Sequence, residues 1–234
     1  MQELDDLSSF SVPRFYRAVR TRPASIQVHV FGDASIDAFC AVAYFRFQYP
    51  DGSIRCCFVM GKTRVGCLRQ LSIPKLELQA SVMCARLLET VKSEHTYELD
   101  SCHLWTDSST VLQWIHSTSR RHPTFIANRV AEIQESTDPS QWRHVPGCLN
   151  VADDGSRGLH AAELHPECRW LNGTAFLTQH EESWPKEIKS VGDGPELTGP
   201  NNMVGSPNDT APTSNEFLNP ARFSSWTKLL RRTS

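Results

Sequence analysis

Three apolar runs crowd into residues 26–60 before the first stretch with helical spacing, and that order restricts the fold more than any other feature. Ile26, Val28 and Val30 alternate with Gln27, His29 and Phe31, which predicts a strand from Ile26 to Gly32 with Asp33 at its carboxyl end. Cys40 to Phe47 and Ser53 to Met60 predict two more strands. They are joined across Tyr49-Pro50-Asp51-Gly52, where Pro, Asp and Gly occupy turn positions. A chain that opens this way forms a three-stranded antiparallel meander. Gly61-Lys62-Thr63-Arg64 then reads as the exit from the sheet.

Helical spacing begins at Ser72 to Pro74, which carry helix-start signals with Pro near the first helical position. Leu76, Ala80, Met83, Leu87 and Val91 form an apolar stripe for the sheet, and Glu77 is expected in the first turn beside it. Cys102 to Thr106 predicts a fourth strand ending at Asp107, with Ser108 or Ser109 capping a short helix through Ile115. Pro123 opens a helix lined by Ile126, Val130 and Ile133. Gln141 to Val145 predicts a fifth strand, closed by Pro146-Gly147. Asn150 is placed as the N-cap of a final helix, with Asp153 three residues on as in a capping box. The order β-β-β-α-β-α-α-β-α predicts an α/β fold. Right-handed crossovers set strand four parallel to strand one and beside it, with strand five beyond. The expected architecture is a mixed five-stranded sheet of order 3-2-1-4-5 flanked by helices.

Composition narrows the function classes. In 234 residues, 24 basic and 26 acidic side chains leave a net charge of -2, so any contact with nucleic acid must come from a local patch. The acidic N-terminus has no apolar core, and the longest apolar run, Phe39 to Phe45, is too short to span a bilayer. The expectation is an intracellular chain with no membrane contact. Eight cysteines without a C-x-x-C pair read as buried free thiols rather than disulfides or a zinc site. The chain divides into a lead-in segment at 1–24, a domain at 25–160, an extension at 161–185 and a tail at 186–234. That tail is rich in Gly, Pro, Asn, Ser and Thr, and it reads as linker or disorder with a short terminal helix.

The chemistry lies in four acids. Neighbouring strands run about 4.8 Å apart, so Asp33 and Asp107, at the carboxyl ends of adjacent parallel strands, converge. Glu77 and Asp153 can reach the same point from helices on either side. Clustered carboxylates repel and raise one another's pKa values unless a cation intervenes. Oxygen ligands with room for water suit two Mg²⁺ or Mn²⁺ ions about 3.5–4 Å apart, a pair that supports phosphodiester hydrolysis. Each residue also has a plainer role. A lone Asp commonly caps a helix or turn, Glu77 could serve the helix dipole, and His144 could be a loop histidine. Lys62, Arg64, Arg120, Arg121 and Arg157 either track phosphates or are solvated. Trp105, Trp114 and Trp142 are expected in the core rather than under bases.

Taken together, Phe31-Gly32-Asp33-Ala34-Ser35, Gly61-Lys62-Thr63-Arg64-Val65, Pro74-Lys75-Leu76-Glu77-Leu78, Trp105-Thr106-Asp107-Ser108, Phe125-Ile126-Ala127-Asn128-Arg129-Val130, Trp142-Arg143-His144-Val145-Pro146-Gly147, Ala152-Asp153 and Ser156-Arg157-Gly158 resemble the ribonuclease H region of BEL/Pao-type LTR retrotransposon polyproteins. The resemblance spans roughly residues 5 to 185. It implies a ribonuclease H-like fold and a metal-dependent endonuclease that cuts the RNA strand of an RNA/DNA hybrid. It further implies that Asp33 is shared by both metals, that Glu77 and Asp107 hold one, and that Asp153 with Asp33 holds the other. His144, on a Pro-Gly loop, resembles the mobile histidine that assists proton transfer or product release, and Lys62, Arg64 and Arg157 would meet the nucleic acid.

The chain departs from that family at Val151, where Pro is usual, at Cys148, where a basic residue is common, and at Asp154-Gly155. Asp154 leaves open which aspartate faces inward. Phe223 to Arg231 resembles the lead-in to an integrase region, so the chain reads as a piece of a longer polyprotein with a reverse transcriptase region as partner. The competing reading is an inactive remnant or domesticated domain that only binds nucleic acid or a protein. An integrase core is disfavoured because it wants its Glu last, and an aspartic protease because the Gly expected after Asp107-Ser108 is absent.

Overall fold

The computed structural model describes residue 16 and residues 21–66, 71–117 and 122–186. Arg120, Arg121, Cys67, nearly all of the lead-in segment and the tail from residue 187 lie outside the described residues. Five strands form one sheet: β1 (Ser25–Ala34), β2 (Ala38–Gln48), β3 (Ile54–Val65), β4 (Ser101–Thr106) and β5 (Trp142–His144). Their order is β3-β2-β1-β4-β5, the order expected from the sequence. Strand β1 pairs antiparallel with β2 and parallel with β4, whose other neighbour, β5, is also parallel. This mixed sheet of order 3-2-1-4-5, flanked by helices, is the architecture that the sequence predicts.

Strand β3 corrects one expectation. Gly61 to Arg64 do not leave the sheet but pair with Val42 to Phe39, after a register shift between Ala43 and Tyr44. The shift leaves Val59 as an extra residue between Phe58 and Met60, a bulge that lets the strand continue. Lys and Arg suit an exposed edge strand, which is why the segment imitates a loop. Gly61 is there because a Cβ would come within 2.9 Å of the Trp170 ring.

The helices are α1 (Ile73–Glu94), α2 (Ser109–His116), α3 (Thr124–Ser136), α4 (Ala152–Arg157) and α5 (Arg169–Asn172). Alternation along the strands sends Val28, Val30, Ala41, Ala43 and Phe45 to one face, where Leu78, Leu87 and Leu88 of α1 and Ile126, Val130 and Ile133 of α3 bury them. A Cβ on Gly32 would lie 2.5 Å from Cys84 Sγ, so glycine lets α1 sit close over β1. Ser108 caps α2 by accepting from the Val111 amide. Trp105 and Trp142 are buried in the core, as expected.

The opposite face carries Phe31, Val42, Tyr44 and Trp105, and it is covered by α4 together with Phe176, Leu177 and Trp184 from beyond residue 160. Arg46, 1% exposed, fastens that cover: it donates to the carbonyls of Leu177 and Gln179, each at 2.9 Å, and to Gln27 Oε1 at 2.8 Å. A buried guanidinium is tolerated only when its donors are met, and here they are met mostly by backbone carbonyls. Among the described residues, Cys56, Cys57, Cys84, Cys102, Cys148 and Cys168 are free thiols. No helix among the described residues is long and apolar enough to cross a membrane.

Candidate active site

Parallel pairing of β1 with β4 brings Gly32 opposite Thr106, so the next residues, Asp33 and Asp107, stand side by side at the carboxyl ends of the two strands. Asp33 lies one residue inside the end of β1, pairs with Cys40, and is 8% exposed. Burial pushes its pKa up to about 6; the Ser156 hydroxyl opposes this, while the charges of Asp107 and Asp153 add to it and Arg157 subtracts. Asp107 is half-buried, and a Cβ on Gly147 would lie 3.4 Å from its Oδ2. Its pKa is also raised, first by burial and then by the charges of Glu77 and Asp153, against a hydrogen bond from Asn150. The charge of Asp153 thus acts on both Asp33 and Asp107, from 120 positions beyond the first, and that of Glu77 acts on Asp107.

Helix α1 corrects the position of Glu77. The N-cap is Ser72, Pro74 stands at the second helical position, and no acid occupies the first turn. Glu77 is thus in the second turn, half-buried beside Leu76 and Leu78, where the terminal dipole no longer accounts for it.

Asn150 is also corrected. The N-cap of α4 is Val151, in helical conformation and without a side-chain bond, so no capping box forms with Asp153. A 3-10 turn, Gly147–Leu149, precedes the helix, and Asn150, extended between the two, turns its side chain to another task. Fully buried, it donates from Nδ2 to the Gly32 carbonyl at 3.0 Å, accepts from the Ala152 amide at 3.3 Å, and offers a hydrogen bond to Asp107. One side chain thereby joins the end of β1, the acid after β4 and the start of α4. Sequence reasoning missed this role because an Asn before a helix reads first as a cap.

Asp153 and Asp154 are adjacent but differently engaged. Arg157, one turn on, donates to Asp153 Oδ1 at 2.5 Å. Asp154 is held instead by Arg169 of α5. Gly155 fits because a Cβ would run into Cys40 and meet the Trp170 ring at 2.9 Å. His144 closes β5 rather than riding the Pro-Gly loop, paired with Thr106, and its Nε2 lies 3.2 Å from the Asp107 carbonyl. Lys62 and Arg64 are exposed on β3, flanking Thr63, which pairs through Cys40 to the level of Asp33.

A divalent ion is tested by the chemistry of this donor set. The ligand atoms are carboxylate oxygens, and two of the acids are driven toward protonation by burial and by like charge, a cost that a hard cation removes. Among the described residues, no three His, Cys, Asp or Glu side chains already enclose one point tightly enough to cage an ion. Arg157 on Asp153 and Ser156 on Asp33 occupy the oxygens that such a cage would use. The set fits a hard cation in composition, with Oδ1 of Asp153 engaged by Arg157.

Comparison with known proteins follows the geometry. Residues 1–108 match the family model of the Pao retrotransposon-like RNaseH-like domain. A comparison with curated proteins found no match. Among solved structures, ribonuclease H1 from the halophilic archaeon Halobacterium salinarum NRC-1 is similar at 15% identity and a TM-score of 0.36, covering 56% of this chain and 93% of that one. The N-terminal ribonuclease H domain of a Mycobacterium tuberculosis protein is similar at 14% identity and a TM-score of 0.36, covering 56% and 94%. LC11 ribonuclease H1 in complex with an RNA/DNA hybrid is similar at 12% identity and a TM-score of 0.36, covering 56% and 92%. Over residues 1–108 the chain is therefore similar to the Pao retrotransposon-like RNaseH-like domain, the family that its motifs resemble.

Proposed function

We propose that this chain is a metal-dependent endonuclease that hydrolyses the RNA strand of RNA/DNA hybrids. The observation that carries the reading is the parallel pairing of β1 with β4, which sets Asp33 beside Asp107 at the strand ends, with the charge of Asp153 acting on both and that of Glu77 on Asp107. When bound, a pair of Mg²⁺ or Mn²⁺ ions supplies the positive charge for in-line displacement at phosphorus. Asp33, central and most buried of the four, would be the ligand shared between them. Glu77 and Asp107 would complete one ion's protein shell and Asp153 the other's.

The remaining residues position and discharge the substrate. Asn150 keeps Asp107 and the end of β1 in fixed relation, so their carboxylates meet the scissile phosphate together. His144, tethered to the Asp107 backbone at the rim, stands where it can take up or release a proton as the product departs. Lys62 and Arg64 on the outer strand, and Arg157 once it leaves Asp153, would meet backbone phosphates. Hybrid would be distinguished from duplex DNA by contacts with 2′-hydroxyls in a shallow groove. A reverse transcriptase region of the same polyprotein would help to hold the substrate.

The test is cleavage of an end-labelled hybrid by purified protein in Mg²⁺ or Mn²⁺. Cutting confined to the RNA strand, lost with chelator and with Asp33→Asn, is the expected result. Salt-dependent binding of hybrid without turnover at any metal concentration would instead mark an inactive, binding-only domain.

A further inference from the structure

Two aspartates stand next to each other on α4, and the residue that separates their roles lies 15 positions beyond the second. Arg169 Nε donates to Asp154 at 2.8 Å to Oδ2 and 3.1 Å to Oδ1, while Nη2 donates to Oδ1 at 2.5 Å. Its Nη1 turns the other way and donates to the Cys148 carbonyl at 3.0 Å. One planar guanidinium thus ties the turn before α4 to the helix itself. The Asp154 side chain is 12% exposed and that of Arg169 41%, so the acid is shielded while the guanidinium still meets solvent.

Helix α4 depends on external ties: Ser156 fastens its later part to Asp33 and Ser35, and Arg169 fastens Asp154 nearer its start. It spans six residues, Ala152–Arg157, without a side-chain bond at its N-cap, and a helix that short does not hold its own orientation. Successive helical residues point about 100° apart, so which aspartate faces the site is set by the rotation of the helix about its own axis. Arg169 is itself anchored: its neighbour Trp170 packs on Gly155, and the Trp170 carbonyl accepts from Tyr44 Oη at 2.7 Å, which fixes α5 to β2.

We propose that Arg169 is a positioning residue that, by gripping Asp154 and the Cys148 carbonyl, fixes the rotation of α4 so that Asp153 rather than Asp154 faces Asp33 and Asp107. The inference rests on the nuclease reading and names the device that selects its fourth carboxylate. A lysine at this position would keep the charge but not the fork, so charge alone does not reproduce the grip.

The test is Mn²⁺ binding to the full chain by calorimetry, without nucleic acid, combined with hydrogen exchange of the amides of residues 155–158. Arg169→Ala is expected to weaken Mn²⁺ binding about tenfold, the range seen when groups that orient a metal ligand are removed. Arg169→Lys should recover only part of the loss. Asp154→Asn should weaken binding by a similar factor, the double variant should be no worse than either single one, and all should speed exchange in α4. Wild-type binding by Arg169→Ala with α4 still protected overturns the proposal. So does an Asp154→Asn loss as deep as that of Asp33→Asn, which would make Asp154 the ligand. Mn²⁺ binding unaffected by Asp33→Asn would sink the nuclease reading instead, and exchange in α4 would still judge the Arg169 tie.

Discussion

Ser156 Oγ donates a hydrogen bond to Asp33 Oδ2 from 123 positions further along the chain, and both residues are buried. The stitch is doubled, because Ser35 Oγ donates back to the Ser156 carbonyl at 2.9 Å. Sheet and α4 are therefore joined at the acid on which the proposed chemistry turns. Ser156→Ala would leave a buried carboxylate short of a donor, at a cost on the order of 1–3 kcal/mol in urea unfolding. Since that bond opposes the upward push of burial, the Asp33 pKa should rise above about 6 in the variant. An NMR titration of Asp33 with no upward movement would show the hydroxyl to be irrelevant.

Arg157 faces Asp153, Asp33 and Asp107 together and is the cation that the cluster keeps without metal. Removing it leaves the acids to repel one another. Arg157→Ala is expected to lower Tm in chelator and to enlarge the rise in Tm on adding Mn²⁺, because the ion no longer competes with a guanidinium for Asp153. The log-log salt dependence of hybrid binding should become shallower by about one phosphate contact. Equal Mn²⁺ shifts in variant and wild type would count against this exchange.

His29 and His103 stack at 4.9 Å between ring centroids beneath Trp184, and Trp105 Nε1 donates to His29 Nδ1 at 3.1 Å. Burial holds both pKa values below the ordinary range, that of His103 at about 4, with Arg46 and Arg143 pressing the same way and Glu181 opposing at His103. Unfolded, each takes a proton near 6.5; folded, His103 does not until about pH 4, so the stability is complete above 6.5 and lost as pH falls. For His103 alone the loss is on the order of 3 kcal/mol. Asp33, raised to about 6, works in the opposite direction, since its protonation favours the folded state between its ordinary value and that pH. The urea midpoint should fall between pH 7 and 5, fall less in His103→Asn, and fall more steeply in Asp33→Asn. A flat midpoint in the wild type would refute the balance.

Much of the sheet was legible because its signals are local. Period-two alternation marks β1, a Pro-Asp-Gly turn marks the hairpin, and the right hand of crossovers places β4 beside β1. Legibility failed where two causes produce one pattern. Charged residues after Gly61 look like a loop and are an edge strand; Asn150 looks like a cap and is a buried bridge; Glu77 looks like a first-turn acid and lies a turn deeper. In each case the deciding partner sits on another element.

Taken alone, the sequence determined the order of elements, the strand order and the placing of Asp33 and Asp107 at neighbouring strand ends, because periodicity and chirality act over a few residues at a time. Only the tertiary structure decided that Asp154 belongs to Arg169, that Ser156 and Asn150 serve the acids, and that residues beyond 160 roof the second face of the sheet. Those relations are hydrogen bonds and packing between segments 15 or more positions apart, and no spacing rule along the chain encodes which distant donor meets which acceptor.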